Sequence, residues 1–255
     1  MALENPALNA ASFQKGAAEA AEAQRRGMTA TGTYARTAFL LLLLLVAAAF
    51  GWSQVEIVSV GGRQVVVQPG WTWLAIVLTL VFGMAGAFAY KSAGIFGPLY
   101  VLSEGALLGV ASHYFNIEYQ GIVLQAVLAT VCIFAAMLFL YGARIIRVTR
   151  GFVLGVAGAM GALLLLWFTA WVVSLFGVNF AFLYQPTPLG ILLSLGIVIL
   201  GALNLPIDFN FIENASSSGA PRYMEWYGAF GLTLSLIWIY VSILRLLALL
   251  RAASS

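Results

Sequence analysis

Seven apolar runs alternate with short polar segments along most of the chain. Each run is near the ~20 residues that an α-helix needs to cross ~30 Å of hydrocarbon. Tyr or Trp stands at many of the run ends, where aromatic rings favour the membrane interface. The pattern therefore predicts an all-α membrane protein with seven transmembrane helices, at residues 34–52, 71–90, 94–114, 121–141, 152–176, 189–207 and 227–250.

The chain before the first run is polar and alanine-rich, and we interpret residues 1–33 as a cytoplasmic N-terminal tail. Within this tail, residues 16–27 are typical of a short surface helix without a broad apolar face. The first run has the length of a signal-peptide core, but the long segment before it favours an uncleaved span. We expect a seven-helix transmembrane domain at residues 34–250 and a short C-terminal tail at residues 251–255.

The longest loop between the early spans has the pattern of a β-hairpin. Residues 53–70 alternate apolar and polar side chains around the pair Gly61-Gly62. Such alternation around a Gly-Gly pair favours two strands joined by a tight turn. We expect this hairpin to cap the outer face of the helices.

The composition is typical of a membrane protein and excludes several kinds of site. Hydrophobic residues make up 62% of the chain and charged residues 8%, whereas a soluble domain carries roughly 25% charged residues. The chain has one cysteine, Cys132, and one histidine, His113, which are too few for a disulfide or an intramembrane zinc site. The basic residues are too scattered for a nucleic-acid-binding patch. We therefore predict neither an enzyme nor a cofactor.

The distribution of basic residues predicts the orientation in the bilayer. With the N-terminus in the cytoplasm, nine Lys and Arg residues fall on the inner side and three on the outer side. This bias follows the positive-inside rule, and the segment RIIRVTR at residues 144–150 is its clearest part. The inner set is Lys15, Arg25, Arg26, Arg36, Lys91, Arg144, Arg147, Arg150 and Arg222, and the outer set is Arg63, Arg245 and Arg251.

Two carboxylates in or beside the apolar runs are candidates for function, because ionisable groups at membrane depth are costly. Glu104 lies mid-span and is followed by Gly105 and Gly109 at a spacing that allows close helix contact. It is either an ion or proton ligand in an internal cavity or a protonated side chain hydrogen-bonded to a neighbouring helix. Asp208 closes the sixth run, where we expect Pro206 to kink or end the helix. It is either a gate at an inner mouth or an interfacial acid.

Several other polar or small residues have plainer interpretations. We expect His113 to be an interfacial side chain, with pH sensing as the alternative. Cys132 is interpreted as a small apolar packing residue, and Arg245 as a cation that snorkels to the outer interface. The glycines at positions 151, 155, 158 and 161 are interpreted as helix-packing positions.

Four tracts of the sequence resemble the Bax inhibitor family, also called the transmembrane Bax inhibitor motif family, in its bacterial branch. They lie at residues 5–13 (NPALNAASF), 100–109 (YVLSEGALLG), 119–147, and from 206 (PIDFNFIE) through 229–250. The resemblance implies seven helices, with the last one central and wrapped by the other six. It also implies a pH-sensitive calcium leak controlled by two aspartates, one at the end of the sixth span and one in the last. A bacterial inner (plasma) membrane location is implied as well.

The resemblance assigns roles to individual residues. Asp208 matches the first aspartate, and Lys91 is the nearest match to a basic residue that can latch it. Ser242 occupies the position of the second aspartate in the last span. Since a serine carries no charge, we expect a pH response that is weaker than the family pattern or shifted to lower pH.

Two functions follow as hypotheses. The first is a membrane ion-homeostasis protein, a calcium or cation leak channel with a carboxylate-lined pathway that involves Asp208, Glu104, Lys91 and Ser242. The alternative is a regulatory membrane protein without transport, which binds other membrane proteins such as a membrane protease.

Overall fold

The computed structural model describes residues 27–60, 63–176 and 185–254. This part of the chain contains seven α-helices, and each predicted span corresponds to one of them. The surface-helix prediction for residues 16–27 falls almost wholly outside the described residues. The helices are α1 Ala30–Ser53, α2 Thr72–Phe88, α3 Ala93–Glu118, α4 Ile122–Gly142, α5 Arg150–Ser174, α6 Pro188–Ser217 and α7 Met224–Ser254.

The helices have the length and composition of a multi-pass integral membrane protein. Six of the seven are long and apolar enough to cross a bilayer. The exception is α2, which has 17 residues and at 1.5 Å per residue is about 26 Å long. A 3₁₀ turn at Tyr90–Ser92 follows α2 and contains Lys91.

The hairpin predicted between α1 and α2 is confirmed. Strand β1 (Glu56–Val60) pairs antiparallel with β2 (Arg63–Val67), so that Glu56 lies opposite Val67 and Val60 opposite Arg63. The turn residues Gly61 and Gly62 lie outside the described residues. The alternating pattern therefore specified both strands correctly.

The sixth helix does not end near Pro206. Helix α6 passes through this proline and continues to Ser217. Pro206 itself is fully buried, and membrane helices tolerate proline where neighbouring groups compensate for the missing backbone donor. Asp208 consequently lies inside a helix, about two turns before its end.

Helix α7 is the most enclosed of the six long helices and α5 the least. Of the most apolar 18-residue window in each helix, 56% is buried in α7 and 6% in α5. Helix α7 packs against α1, α3, α4 and α6 and touches α2, whereas α5 packs on α6. The main core lies along α7, where Leu232, Ile239 and Ile243 pack with Phe209 of α6.

Helices α1 and α3 approach closely at three glycines. A Cβ added at Gly109 would lie 2.0 Å from the carbonyl oxygen of Ala48, and one at Gly51 would lie 2.0 Å from that of Ala106. Gly105 is similarly tight against Leu44. The close contact predicted from the spacing of Gly105 and Gly109 is confirmed. The packing interpretation of the α5 glycines is wrong, because a Cβ at each of the four would meet nothing within 4 Å.

Substitution of Gly109 by alanine is expected to force α1 and α3 apart and to destabilise the protein by about 1–3 kcal/mol, as overpacking typically does. The matched control is Gly155→Ala on α5, where the added methyl group meets open space and removes the helix penalty of glycine. Thermal unfolding in detergent measures both. Equal midpoints for the two variants would contradict the close contact.

A buried ion pair connects the first turns of α1 to the start of α7. Glu225 is 3% exposed and forms a salt bridge with Arg36 of α1. Its Oε1 atom also accepts hydrogen bonds from the backbone N–H of Thr29 at 2.8 Å and from the Thr29 hydroxyl at 3.0 Å. The Arg36 guanidinium lies 5.2 Å from the centre of the Trp226 ring. We call Thr29, Arg36 and Glu225 the N-terminal clasp.

Hydrogen bonds to backbone groups beside the clasp also connect the residues before α1 to the loop between α6 and α7. The N–H of Met28 donates to the carbonyl of Ala220 at 2.7 Å, and Ser216 donates to the carbonyl of Met28 at 3.2 Å. Gly27 pairs with Pro221 in an isolated β-bridge. The loop between α6 and α7 is thereby tied to the entry of α1.

Candidate functional site

Asp208 is held at the interface of α6 and α7 by neutral donors. The Ser235 hydroxyl of α7 donates to Oδ2 of Asp208 at 2.6 Å. Asn204 precedes Asp208 by one helical turn, so both side chains share a face of α6. The Asn204 amide donates to the same Oδ2 atom at 3.3 Å and to the Ser235 hydroxyl oxygen at 3.0 Å. Three polar side chains thus form a connected network between the two helices.

The structure brings neither Lys91 nor Ser242 to Asp208. Ser242 is buried on α7, but it follows Ser235 by seven residues, which is about 10 Å along a helix. Lys91 is exposed in the turn before α3, and within the described residues no ion pair joins it to Asp208. The partner of Asp208 on α7 is therefore Ser235, which the sequence analysis did not single out.

Glu104 is half-buried on α3. It lines a cavity of about 540 Å³ that is also lined by Asn204 and Ser235. Within the described part of the chain, no hydrogen bond or salt bridge holds its carboxylate. Two carboxylates, Glu104 and Asp208, thus lie on either side of the Asn204–Ser235 pair.

Three cavities follow one another along α7. The first, of about 260 Å³, is lined by Asp208 and shares Gly231 and Leu234 with the Glu104 cavity. The third, of about 360 Å³, is lined by Ser242 and Arg245. It shares Met160, Trp238 and Val241 with the Glu104 cavity. The cavities therefore trace a route along α7, with α2, α3, α5 and α6 contributing its other walls.

The ionisable side chains along this route are of two kinds. Carboxyl groups line its first two cavities, Asp208 the first and Glu104 the second. Arg245 lines the third cavity, with its guanidinium 5.3 Å from the centre of the Trp167 ring on α5. The side chains that line the route therefore change from carboxyl groups to a guanidinium group.

Two other residues considered from the sequence lie outside this route. His113 is hydrogen-bonded through Nδ1 to the backbone carbonyl of Trp52 at 2.9 Å and stacks on the Trp52 ring, so it joins α3 to the end of α1. Cys132 is exposed on α4, which corrects its interpretation as a packing residue. Among the described residues, no group of three or more His, Cys, Asp or Glu side chains is arranged to hold a metal ion.

Comparison with known proteins identifies the family of the chain. No curated protein and no solved structure matches it. The family model described as Bax inhibitor 1 like matches residues 5–252, nearly the full length. With its multiple apolar helices and this match, the chain belongs to the Bax inhibitor 1 like family of membrane proteins.

Proposed function

We propose that this protein is a membrane ion-homeostasis protein that leaks cations, calcium among them, along a pathway beside α7. The observation that carries the proposal is the pair of adjoining cavities along α7 that are lined by Asp208 and Glu104. In this arrangement α7 acts as the central helix, with α1, α2, α3, α4 and α6 against it and α5 packed on α6.

The side chains on the route suit a hard cation that passes without being held tightly. Calcium binds oxygen ligands, most strongly where carboxylates and carbonyl groups surround it together. Here the two carboxylates come from different helices, and the oxygens between them belong to the neutral Asn204 and Ser235. Conduction requires binding that is favourable enough for entry and weak enough for release.

Neutralising either carboxylate is expected to reduce cation flux without unfolding the protein. For Asp208→Asn and Glu104→Gln, we expect calcium flux into protein-containing liposomes to fall by about tenfold, the effect of losing ~1.4 kcal/mol of attraction. Glu213→Gln is the matched control, since Glu213 is exposed on α6 and bonds Tyr141 away from the route.

Two outcomes of this assay would reject the proposal. Flux that is unchanged in both carboxylate variants would show that they do not line a conducting route. Liposomes with folded wild-type protein that pass no cation would favour the alternative, a regulatory protein that binds other membrane proteins.

We further propose that the N-terminus and the α4–α5 loop face the cytoplasm of a bacterial cell, with the protein in the inner membrane. Support comes from the nine-to-three distribution of Lys and Arg. In a Cys132→Ser background, a cysteine placed at Arg147 is expected to react with a thiol reagent only after the membrane is permeabilised. Labelling of this cysteine in intact cells would reverse the orientation.

A further inference from the structure

The third cavity opens sideways between helices α5, α6 and α7, and we call it the α5–α7 cleft. It measures about 360 Å³, and most of its lining is apolar, including Met160, Leu163 and Trp238. Val241 of α7 is 42% exposed there, although α7 is the most enclosed of the long helices. An open apolar cleft at this position on a membrane-spanning helix faces the acyl chains of the bilayer and not bulk water.

A buried hydroxyl group in the cleft lacks a partner. Ser194 is 2% exposed, and within the described residues its Oγ atom makes no hydrogen bond. A buried polar group without a partner costs about 1–3 kcal/mol, so such groups usually indicate a bonding partner that the protein itself does not supply. Ser194 lines the cleft together with a second hydroxyl group, that of Ser242.

One side chain that lines the cleft is positively charged. Arg245 lies there with its guanidinium over Trp167, and none of the described residues that line the cleft is acidic. A guanidinium presents several donors in a planar fork that matches a phosphate group. Apolar walls, two hydroxyl groups and one arginine form a combination that suits an amphiphile with a negative headgroup.

We propose that the α5–α7 cleft binds one anionic phospholipid, with an acyl chain against the apolar walls and the phosphate at Arg245. The Ser194 and Ser242 hydroxyls donate to oxygens of the same lipid. This binding does not depend on the proposed ion conduction. The cleft adjoins the Glu104 cavity, with which it shares Met160, Trp238 and Val241, and the bound lipid lies beside the proposed cation pathway and not within it.

Tryptophan fluorescence tests the proposal, because Trp167 and Trp238 both line the cleft. The full chain is placed in phosphatidylcholine nanodiscs that contain increasing fractions of phosphatidylglycerol with brominated acyl chains. Bromine quenches only nearby indole rings, and a Trp167→Phe/Trp238→Phe variant supplies the background from the other tryptophans. We expect half-maximal quenching at a fraction about tenfold lower than with brominated phosphatidylcholine, since one added ionic contact of ~1.4 kcal/mol gives that ratio.

Two variants separate headgroup recognition from general contact with lipid. Arg245→Gln removes the charge and is expected to abolish the preference for phosphatidylglycerol, whereas Arg251→Gln, another arginine of α7 that does not line the cleft, retains it. Ser242→Leu fills the cleft while Arg245 remains, and is expected to reduce quenching by both lipids. Equal quenching by the two lipids in the wild type, or an unchanged preference in a folded Arg245→Gln variant, would overturn the proposal.

Discussion

Replacement of Glu225 by alanine is expected to destabilise the protein by about 3–5 kcal/mol, because it leaves a partly buried arginine without its counter-ion. Glu225 is almost fully buried, and it also accepts two hydrogen bonds from Thr29. Its loss therefore removes the ion pair and the acceptor that orders the entry of α1. Unfolding in increasing sodium dodecyl sulfate, followed by circular dichroism, measures the effect.

The size of this effect depends on the unpaired charge and not on the number of lost contacts. A double variant, Arg36→Met/Glu225→Leu, is expected to be more stable than Glu225→Ala alone, since apolar pairs can replace buried ion pairs at little cost. Glu213→Ala, at an exposed glutamate, should change stability only slightly. If Glu225→Ala unfolds no more easily than Glu213→Ala, the clasp does not stabilise the fold.

Introduction of a second carboxylate beside Asp208 is expected to create a steep pH response. In Ser235→Asp the new side chain replaces a hydroxyl that lies 2.6 Å from the Asp208 carboxylate. Two carboxylates at this distance share one proton and repel each other once both are ionised. The contact between α6 and α7 at this point is then favoured at low pH and weakened as pH rises, and we expect flux to increase with pH by up to about tenfold per unit for one proton.

Ser242→Asp is the matched comparison, because the resemblance placed the second aspartate at Ser242 whereas the structure places Ser235 beside Asp208. Calcium flux across a pH series from 5 to 8 measures both variants. We expect only Ser235→Asp to become steeper than the wild type. If only Ser242→Asp responds more steeply, Ser242 and not Ser235 occupies the position of the second aspartate, as the resemblance implies.

The helices were predictable because the hydrocarbon of the bilayer offers no hydrogen-bond partners to the backbone. Hydrocarbon excludes unpaired backbone groups, so an apolar run of sufficient length becomes a helix whatever its neighbours are. The ends of the helices were less predictable. Pro206 was expected to kink or end the sixth helix, as proline commonly does in water-soluble proteins. In this protein the buried proline is accommodated, and α6 continues for more than two further turns to Ser217.

The contacts of the candidate site were only partly predictable from the sequence. Asp208 and Glu104 could be selected because charged groups are rare in apolar runs. The partner of Asp208 depends on the register between α6 and α7, which neither the resemblance nor the spacing specifies. The Arg36–Glu225 pair was missed because the two residues lie near opposite ends of the chain. Its one local signal is an acidic residue in the first turn of α7, where a helix dipole favours negative charge.

The N-terminal clasp also has a consequence for the timing of synthesis. Thr29 and Glu225 are separated by 196 residues, and ribosomes add roughly 5–20 residues per second. On the order of 10–40 seconds therefore pass between the emergence of the first helix and that of the acid that closes the clasp. During this interval the Arg36 guanidinium lacks the counter-ion that it has in the folded protein, so the clasp forms only after Glu225 has been synthesised.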